Sequence, residues 1–400
     1  MSRPSRALPA QPAPAAAARA LRRAARFVRR ALPLCRAHTV EFFTRGLWQR
    51  LVAPRPDAVL EALRAAGPLA HPLAAGSGAA AAPCDDDIFS SAFCENSEKL
   101  VNVHLFALAA KYYSLSNLGV CTPLEDVLEA LKGDSEGAIG IKPDEFMNNK
   151  KSHEVQVMSE LVDGIANYCG IKQDCMMVGL HTCGDLAANT LRIFTAKPEI
   201  KAVCSVGCCY HLLSEQFENQ EECHDQVWGF PMCQYLKNKG WCCGRNARMS
   251  ACLALERVAV GQMLPTESLF YRAVLQVIVE EIYGVTKSDR HVGKTFSKSS
   301  SFVDYVRRSL KKLELDDSKL PDSCIMDYYE KYKHRMNELE AFNMLKVVLA
   351  PCIEVLILLD RLCYLKEQEN IAWSGLVKLF DPVKSPRCYA VIALKNQSCS

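Results

Sequence analysis

No glycine-rich strand-to-helix turn is present in this chain. Twenty glycines are spread over 400 residues, but none builds the loop that brings backbone close to a bound nucleotide. Gly76-Ser-Gly78 lies in an alanine linker with no strand before it. Cys-x-x-Cys pairs are also absent, although there are 20 cysteines. Without such short-spaced pairs the sequence does not assign a structural zinc site. Acidic residues are missing before Glu41. No secretory leader with a long apolar core is visible, so the cysteines read as reduced thiols and a cytoplasmic location is expected. No run reaches the roughly 18 uninterrupted apolar residues that suggest a membrane span. The greasiest stretch, Val347 to Leu359, is broken by Pro351 and Glu354 and closed by Asp360. The net charge of +3 is too small to imply nucleic-acid binding by itself, and no DNA partner is expected.

What is present is an ordinary globular composition, 49% hydrophobic and 23% charged, in a chain long enough for two or three domains. Residues 1–34 are rich in Ala, Pro and Arg. Arg22, Arg23, Arg26, Arg29 and Arg30 alternate with apolar residues, as in a basic amphipathic presequence or in a helix with a charged solvent face. Residues 35–66 read as helical and 67–94 as a linker, Gly/Ala/Pro-rich over 67–86. Residues 95–173 read as a helical part, with helix starts at Thr122-Pro-Leu-Glu-Asp126 and at Ser152. Residues 174–395 carry the strands, with a helical insertion over 245–342. Within it, Asn246–Arg257, Ser268–Ile282 and the basic Ser301–Lys312 show helical stripes. A helix over Asn343–Gln368, a helix over Trp373–Phe380 and a strand over Cys388–Leu394, suited to a sheet edge, complete the pattern.

Two strand tips carry the chemistry. The apolar run Met176–Leu180 ends at His181-Thr-Cys-Gly-Asp185, and Lys201–Gly207 ends at Cys208-Cys-Tyr-His211. One helix-like segment separates them, so they read as neighbouring parallel strands with a site at their carboxyl ends. Tyr210 offers a ring and a hydroxyl for orienting an acceptor. His211 offers an imidazole, a side chain suited to proton transfer. Asp185 suits a helix cap or a hydrogen-bond acceptor. Several readings remain for the thiols. His181, Cys183, Cys208, Cys209, His211, Cys242 and Cys243 are metal-ligand types without metal-site spacing. Cys209 and His211 are a nucleophile pair without a third member. Buried cysteines are also common packing residues.

At these motifs the sequence resembles the methyltransferase-like protein 25 family. The likeness is carried by Met147-Asn-Asn-Lys-Lys-Ser-His-Glu154, Gly179-Leu-His-Thr-Cys-Gly-Asp-Leu186, Val206-Gly-Cys-Cys-Tyr-His-Leu-Leu213 and Trp241-Cys-Cys-Gly-Arg-Asn-Ala-Arg248. It continues through Leu359-Asp-Arg-Leu-Cys-Tyr-Leu-Lys-Glu367 and Phe380-Asp-Pro-Val-Lys-Ser-Pro-Arg387. The resemblance implies an S-adenosylmethionine-dependent methyltransferase with a seven-stranded, Rossmann-like α/β sheet, here incomplete and with extensive helical additions. It implies His181, Asp185, Tyr210 and His211 as the acceptor-side residues. A fainter likeness of the tips to a tRNA ribose methyltransferase family adds RNA to protein as an acceptor class. In such a fold the cofactor is held over the first strands, yet Gly170-Ile-Lys-Gln173 runs straight into the fourth. The front of the sheet and its cofactor-binding residues are therefore expected to be missing. An inactive shortened form follows, or a non-catalytic RNA- or protein-binding module. Exposed strand edges would then call for self-association or a stabilising protein partner.

Overall fold

The computed structural model describes residues 8–65, 86–131, 149–171, 175–218, 227–253, 255–259, 264–286 and 292–396. Its strands are β1 (Cys121–Thr122), β2 (Cys175–Cys183), β3 (Ile200–Cys208), β4 (Ile371–Lys378) and β5 (Tyr389–Lys395). The first helices are α1 (Pro14–Arg36), α2 (Leu47–Leu51), α3 (Pro56–Ala65), α4 (Asp86–Ser90), α5 (Val103–Tyr112), α6 (Leu124–Leu131), α7 (Asn149–Cys169) and α8 (Asp185–Ala196). After the second strand tip come α9 (Gln234–Asn238), α10 (Arg245–Ser250), α11 (Leu255–Ala259), α12 (Thr266–Tyr283), α13 (Phe302–Leu313), α14 (Asp322–Lys333) and α15 (Met336–Lys366). The linker glycines Gly76 and Gly78, Met147 and Asn148, and the junction of Gln173 with Asp174 lie outside the described residues.

The five strands form one sheet in the order β1-β4-β5-β3-β2. β2 and β3 are parallel and joined through α8. β5 lies antiparallel between β3 and β4. The sheet is thus α/β and incomplete: among the described residues nothing pairs with the outer edge of β2. Its two faces follow the period of two that strands impose. Ala202, Cys204 and Val206 of β3, with Ala390, Ile392 and Leu394 of β5, pack against Met158, Leu161 and Ile165 of α7. The alternate residues Val203, Val391 and Ala393 join the larger core with Leu191 and Phe194 of α8 and most of α15.

α15 is buried on nearly every side, as an all-round apolar helix must be. By length and composition it would cross a membrane, but 83% of its most apolar window is buried inside the protein. α1 supplies a second long core helix, burying Leu21, Phe27 and Val28. Its arginines lie on neighbours: Arg23 donates to the Tyr112 hydroxyl (2.6 Å), Arg30 to the Cys94 carbonyl (3.0 Å), and Arg29 stacks over Trp241.

Several expectations are corrected. Residues 373–380 are strand β4 for most of their length, not a helix. The late strand is β5, and it is central, because it is buried and paired on both sides. Asn246–Arg257 is not one helix; α10 ends at Ser250 and α11 begins at Leu255. α7 starts before Ser152, which lies inside it. Thr122 is buried in β1 with no hydrogen-bond partner for its hydroxyl among the described residues, and the following helix opens instead with the Val127 amide bonded to the Pro123 carbonyl. The cations of α13 are partly neutralised: Arg307 pairs with Asp322 and Arg308 with Asp304.

Candidate functional site at the carboxyl ends of β2 and β3

β2 runs further than its apolar core. A bulge interrupts its register with β3 between Gly179 and Thr182, where Gly179 faces Ser205 and Thr182 faces Gly207. Bulges of this kind re-aim side chains at sheet ends. Gly179 is required here, because a Cβ would collide with the Thr182 side chain. Thr182 is locked by its hydroxyl, 2.9 Å from both the Ser205 hydroxyl and the Val206 carbonyl. His181 lies within the bulge, with more than half its side chain exposed and its Nε2 3.9 Å from Oε2 of Glu154.

Glu154 is a site residue that the sequence did not single out. It is 2% exposed, accepts a 2.6 Å hydrogen bond from Ser385, and lies 3.5 Å from Lys150 one helical turn away. His153 beside it accepts from the Asp381 amide at 3.2 Å. The sequence segments around residues 150, 181 and 385 therefore meet at one end of the sheet. The i,i+4 spacing of Lys150 and Glu154 was the available signal, but it looks the same on any solvated helix.

The second tip is more deeply set. Cys209 has φ 49°, a left-handed conformation unusual for a residue with a side chain. The chain then turns through a short 3₁₀ segment, Tyr210–Leu212. Tyr210 is 1% exposed and donates to Glu354 of α15 at 2.7 Å. Arg387 also donates to that carboxylate, at 3.1 Å, and both Arg361 and Arg387 lie over the Tyr210 ring. Burial pushes the Tyr210 hydroxyl well above its ordinary value, and the Glu354 charge adds to the effect. Burial also raises Glu354, against the pull of Arg387. His211 is half-buried, its Nδ1 3.7 Å from the Cys252 sulfur rather than paired with Cys209.

Asp185 opens α8, and its Oδ1 accepts from the Ser214 amide at 2.8 Å. This bond ties the first tip to the loop after the second. Glu215 continues the brace: it accepts from the Cys243 and Gly244 amides, each at 2.7 Å, and from Arg248. Of the four expected site residues, His181 and His211 have side chains open to solvent at least in part, while Tyr210 is enclosed and Asp185 is engaged with backbone. Cys183, Cys208 and Cys209 come together at the tips, their sulfurs all within 4.8 Å of one another. Cys242 and Cys243 lie instead on the Arg36 and Glu215 brace.

The glycine at the β2–α8 turn does not offer a cofactor cradle. Gly184 has φ 52°, but a Cβ there would lie 2.7 Å from both the Leu212 carbonyl oxygen and its Cβ, so the space in front of it is filled. The described cavity of about 740 Å³ is elsewhere, lined by residues such as Arg36, His38, Arg45 and Arg245.

A parallel strand pair with chemistry at its tips, an antiparallel strand inserted beside it and helices on both faces define a methyltransferase-type α/β protein. A methyltransferase-domain family model matches residues 146–216, the span of α7 through both tips. Human and mouse proteins, each described as probable methyltransferase-like protein 25, are 45% and 43% identical to the chain. The human match covers 93% of this chain and 96% of the relative; the mouse match covers 93% and 95%. The chain belongs to the methyltransferase-like protein 25 family. No solved structure matches it.

Proposed function

We propose that this chain is a shortened form of an S-adenosylmethionine-dependent methyltransferase and is itself inactive in methyl transfer. One observation carries the reading. α7 ends at Cys169 and β2 begins at Cys175, and among the described residues nothing pairs with the outer edge of β2. In a doubly wound sheet the ligand crevice lies where a further parallel strand would flank that edge. The human match extends over 577 residues, more than the 400 this chain contains, so it includes stretches to which the chain contributes nothing. An internal loss between α7 and β2 agrees with both facts. It would remove the cofactor-binding strands while keeping the acceptor side.

On this reading His181 and His211 face the methyl acceptor, with His211 assisting proton removal. Asp185 and Tyr210 act behind them as positioning residues. The acceptor class is RNA or protein, and a cytoplasmic protein is proposed. The open edge of β2 favours self-association or a stabilising protein partner.

Calorimetric titration of the folded, monodisperse chain with S-adenosylmethionine tests the proposal. Absence of binding is expected. Binding at micromolar dissociation constant would overturn it. A chain carrying the relatives' additional residues between Gln173 and Asp174 should bind the cofactor.

A non-catalytic binding module is the second reading. It is favoured by the basic wall of the cavity formed by Arg36, Arg45, Arg50 and Arg245. Retention of RNA by the chain without cofactor, lost in an Arg45→Glu/Arg245→Glu variant, would select it.

A further inference from the structure

We infer that Cys183, Cys208 and Cys209 form a three-thiolate site for a soft divalent ion of the zinc class at the carboxyl ends of β2 and β3. The inference does not depend on methyl transfer.

Three observations converge on it. First, the sulfurs are already gathered. Cys183 and Cys208 are register partners on adjacent strands, with sulfurs 3.0 Å apart, and all three sulfurs lie within 4.8 Å. Zinc–sulfur bonds of about 2.3 Å at tetrahedral angles place sulfurs about 3.8 Å apart. The Cys183–Cys208 pair is closer than that and would open slightly around an ion, while all three sulfurs are already within reach of one.

Second, the backbone is bent to bring in the third thiol. Successive residues of an extended strand point to opposite faces. Cys208 and Cys209 escape this rule because Cys209 leaves the strand with φ 49°. A non-glycine residue held there costs conformational energy, and such costs concentrate at functional sites. The Gly184 amide bonds the Cys208 carbonyl at 3.2 Å and fixes the two tips to each other.

Third, a buried cation stands behind the cluster. Arg361 is 2% exposed, and its Nε and Nη2 find no hydrogen-bond partner among the described residues. Its guanidinium lies over the Tyr210 ring and against Gly207, the residue before Cys208, where a Cβ would collide with it. A buried guanidinium needs compensating negative charge. Three thiolates on a divalent ion carry a net negative charge; three neutral thiols or a disulfide carry none.

On binding, each sulfur–hydrogen bond is replaced by a sulfur–metal bond, and three protons pass to the buffer. No electron leaves sulfur, so no oxidant is required. The fourth position is left to solvent or to a ligand, the arrangement of a reactive rather than a closed structural site.

The test is titration of the reduced, metal-stripped full chain with cobalt(II), then displacement by zinc, with elemental analysis of the product. We expect one ion per chain, intense thiolate-to-cobalt charge-transfer absorption, and protection of all three cysteines from alkylation. Cys183→Ser, Cys208→Ser and Cys209→Ser should each weaken binding by more than about tenfold. Cys324→Ser, on α14 away from the cluster, should bind as the parent does. Substoichiometric metal in the reduced parent chain would overturn the inference. So would cobalt spectra unchanged in the three cluster variants, or a Cys183–Cys208 disulfide forming in place of metal binding.

Discussion

The Tyr210 hydroxyl lies 2.7 Å from Oε1 of Glu354, joining a strand tip to the middle of the longest helix. The contact explains how a glutamate can stand in the buried middle of this mainly apolar helix. Tyr210 and Arg387 together satisfy a carboxylate that is almost enclosed. Removing the hydroxyl leaves a buried acceptor short of one donor, which costs about 1–3 kcal/mol. Tyr210→Phe should lower the urea midpoint accordingly. In a double-mutant cycle with Glu354→Leu the two losses should be less than additive, since each variant breaks the same bond. Full additivity would show that the ring's packing, not the bond, carries the effect.

Asp360 gives a pH dependence opposite to ordinary acid unfolding. Its carboxylate is fully buried and accepts hydrogen bonds from the Met232 and Cys233 amides at 2.8 Å. Burial nevertheless raises it from 3.8 to about 6, with those amides opposing. The folded state therefore holds its proton more tightly than the unfolded state. This group's contribution is favourable below about pH 4 and is lost as the pH rises to about 6. A displacement of that size corresponds to about 3 kcal/mol. Asp360→Asn should remove the fall, so its stability relative to the parent should rise across that window. Parallel pH dependences for the two proteins would refute the assignment.

The acceptor-side assignment is tested in a chain that carries the relatives' additional residues between Gln173 and Asp174. His211→Ala should there lower methyl transfer by about 10²-fold or more, the usual weight of a general base, with cofactor affinity unchanged. His181→Ala should act mainly on the Michaelis constant, because His181 is held only by a loose 3.9 Å approach to Glu154. If both variants turn over like the parent, the tips pack without acting.

The parallel pair at the heart of the site was legible because β3 is a mainly apolar run, interrupted only by Lys201 and Ser205, and a helix-like segment separates it from β2. β4 was not. Trp373, Leu376, Val377 and Phe380 recur at helical spacing, and only pairing with β1 and β5 makes the segment a strand. The same limit hid the buried charges. Glu354, Asp360 and Arg361 read as interruptions of an apolar stretch, whereas each faces a partner or strand tip more than a hundred residues away in sequence. Periodicity reports which face is apolar; it does not report which distant group meets a charge. The thiols at the tips were visible as ligand types, but the sequence did not separate Cys183, Cys208 and Cys209, which meet, from Cys242 and Cys243, which do not join them.

The free edge of β2 leads to the last prediction. Val178 is 48% exposed and Cys175 is also exposed, whereas all of β3 but Lys201 is buried. An unpaired edge presents backbone donors and acceptors to any other strand, and a charged side chain there discourages such pairing. The purified chain should therefore self-associate, with light scattering rising with concentration. Val178→Lys should shift it toward the monomer without lowering its thermal midpoint, since nearly half of Val178 already lies in solvent. Hydrogen exchange should show β3 and β5 protected and the outward amides of β2 exchanging quickly. A concentration-independent monomer with amides protected throughout residues 176–207 would show that the edge is covered, and the case for a missing front half of the sheet would fail with it.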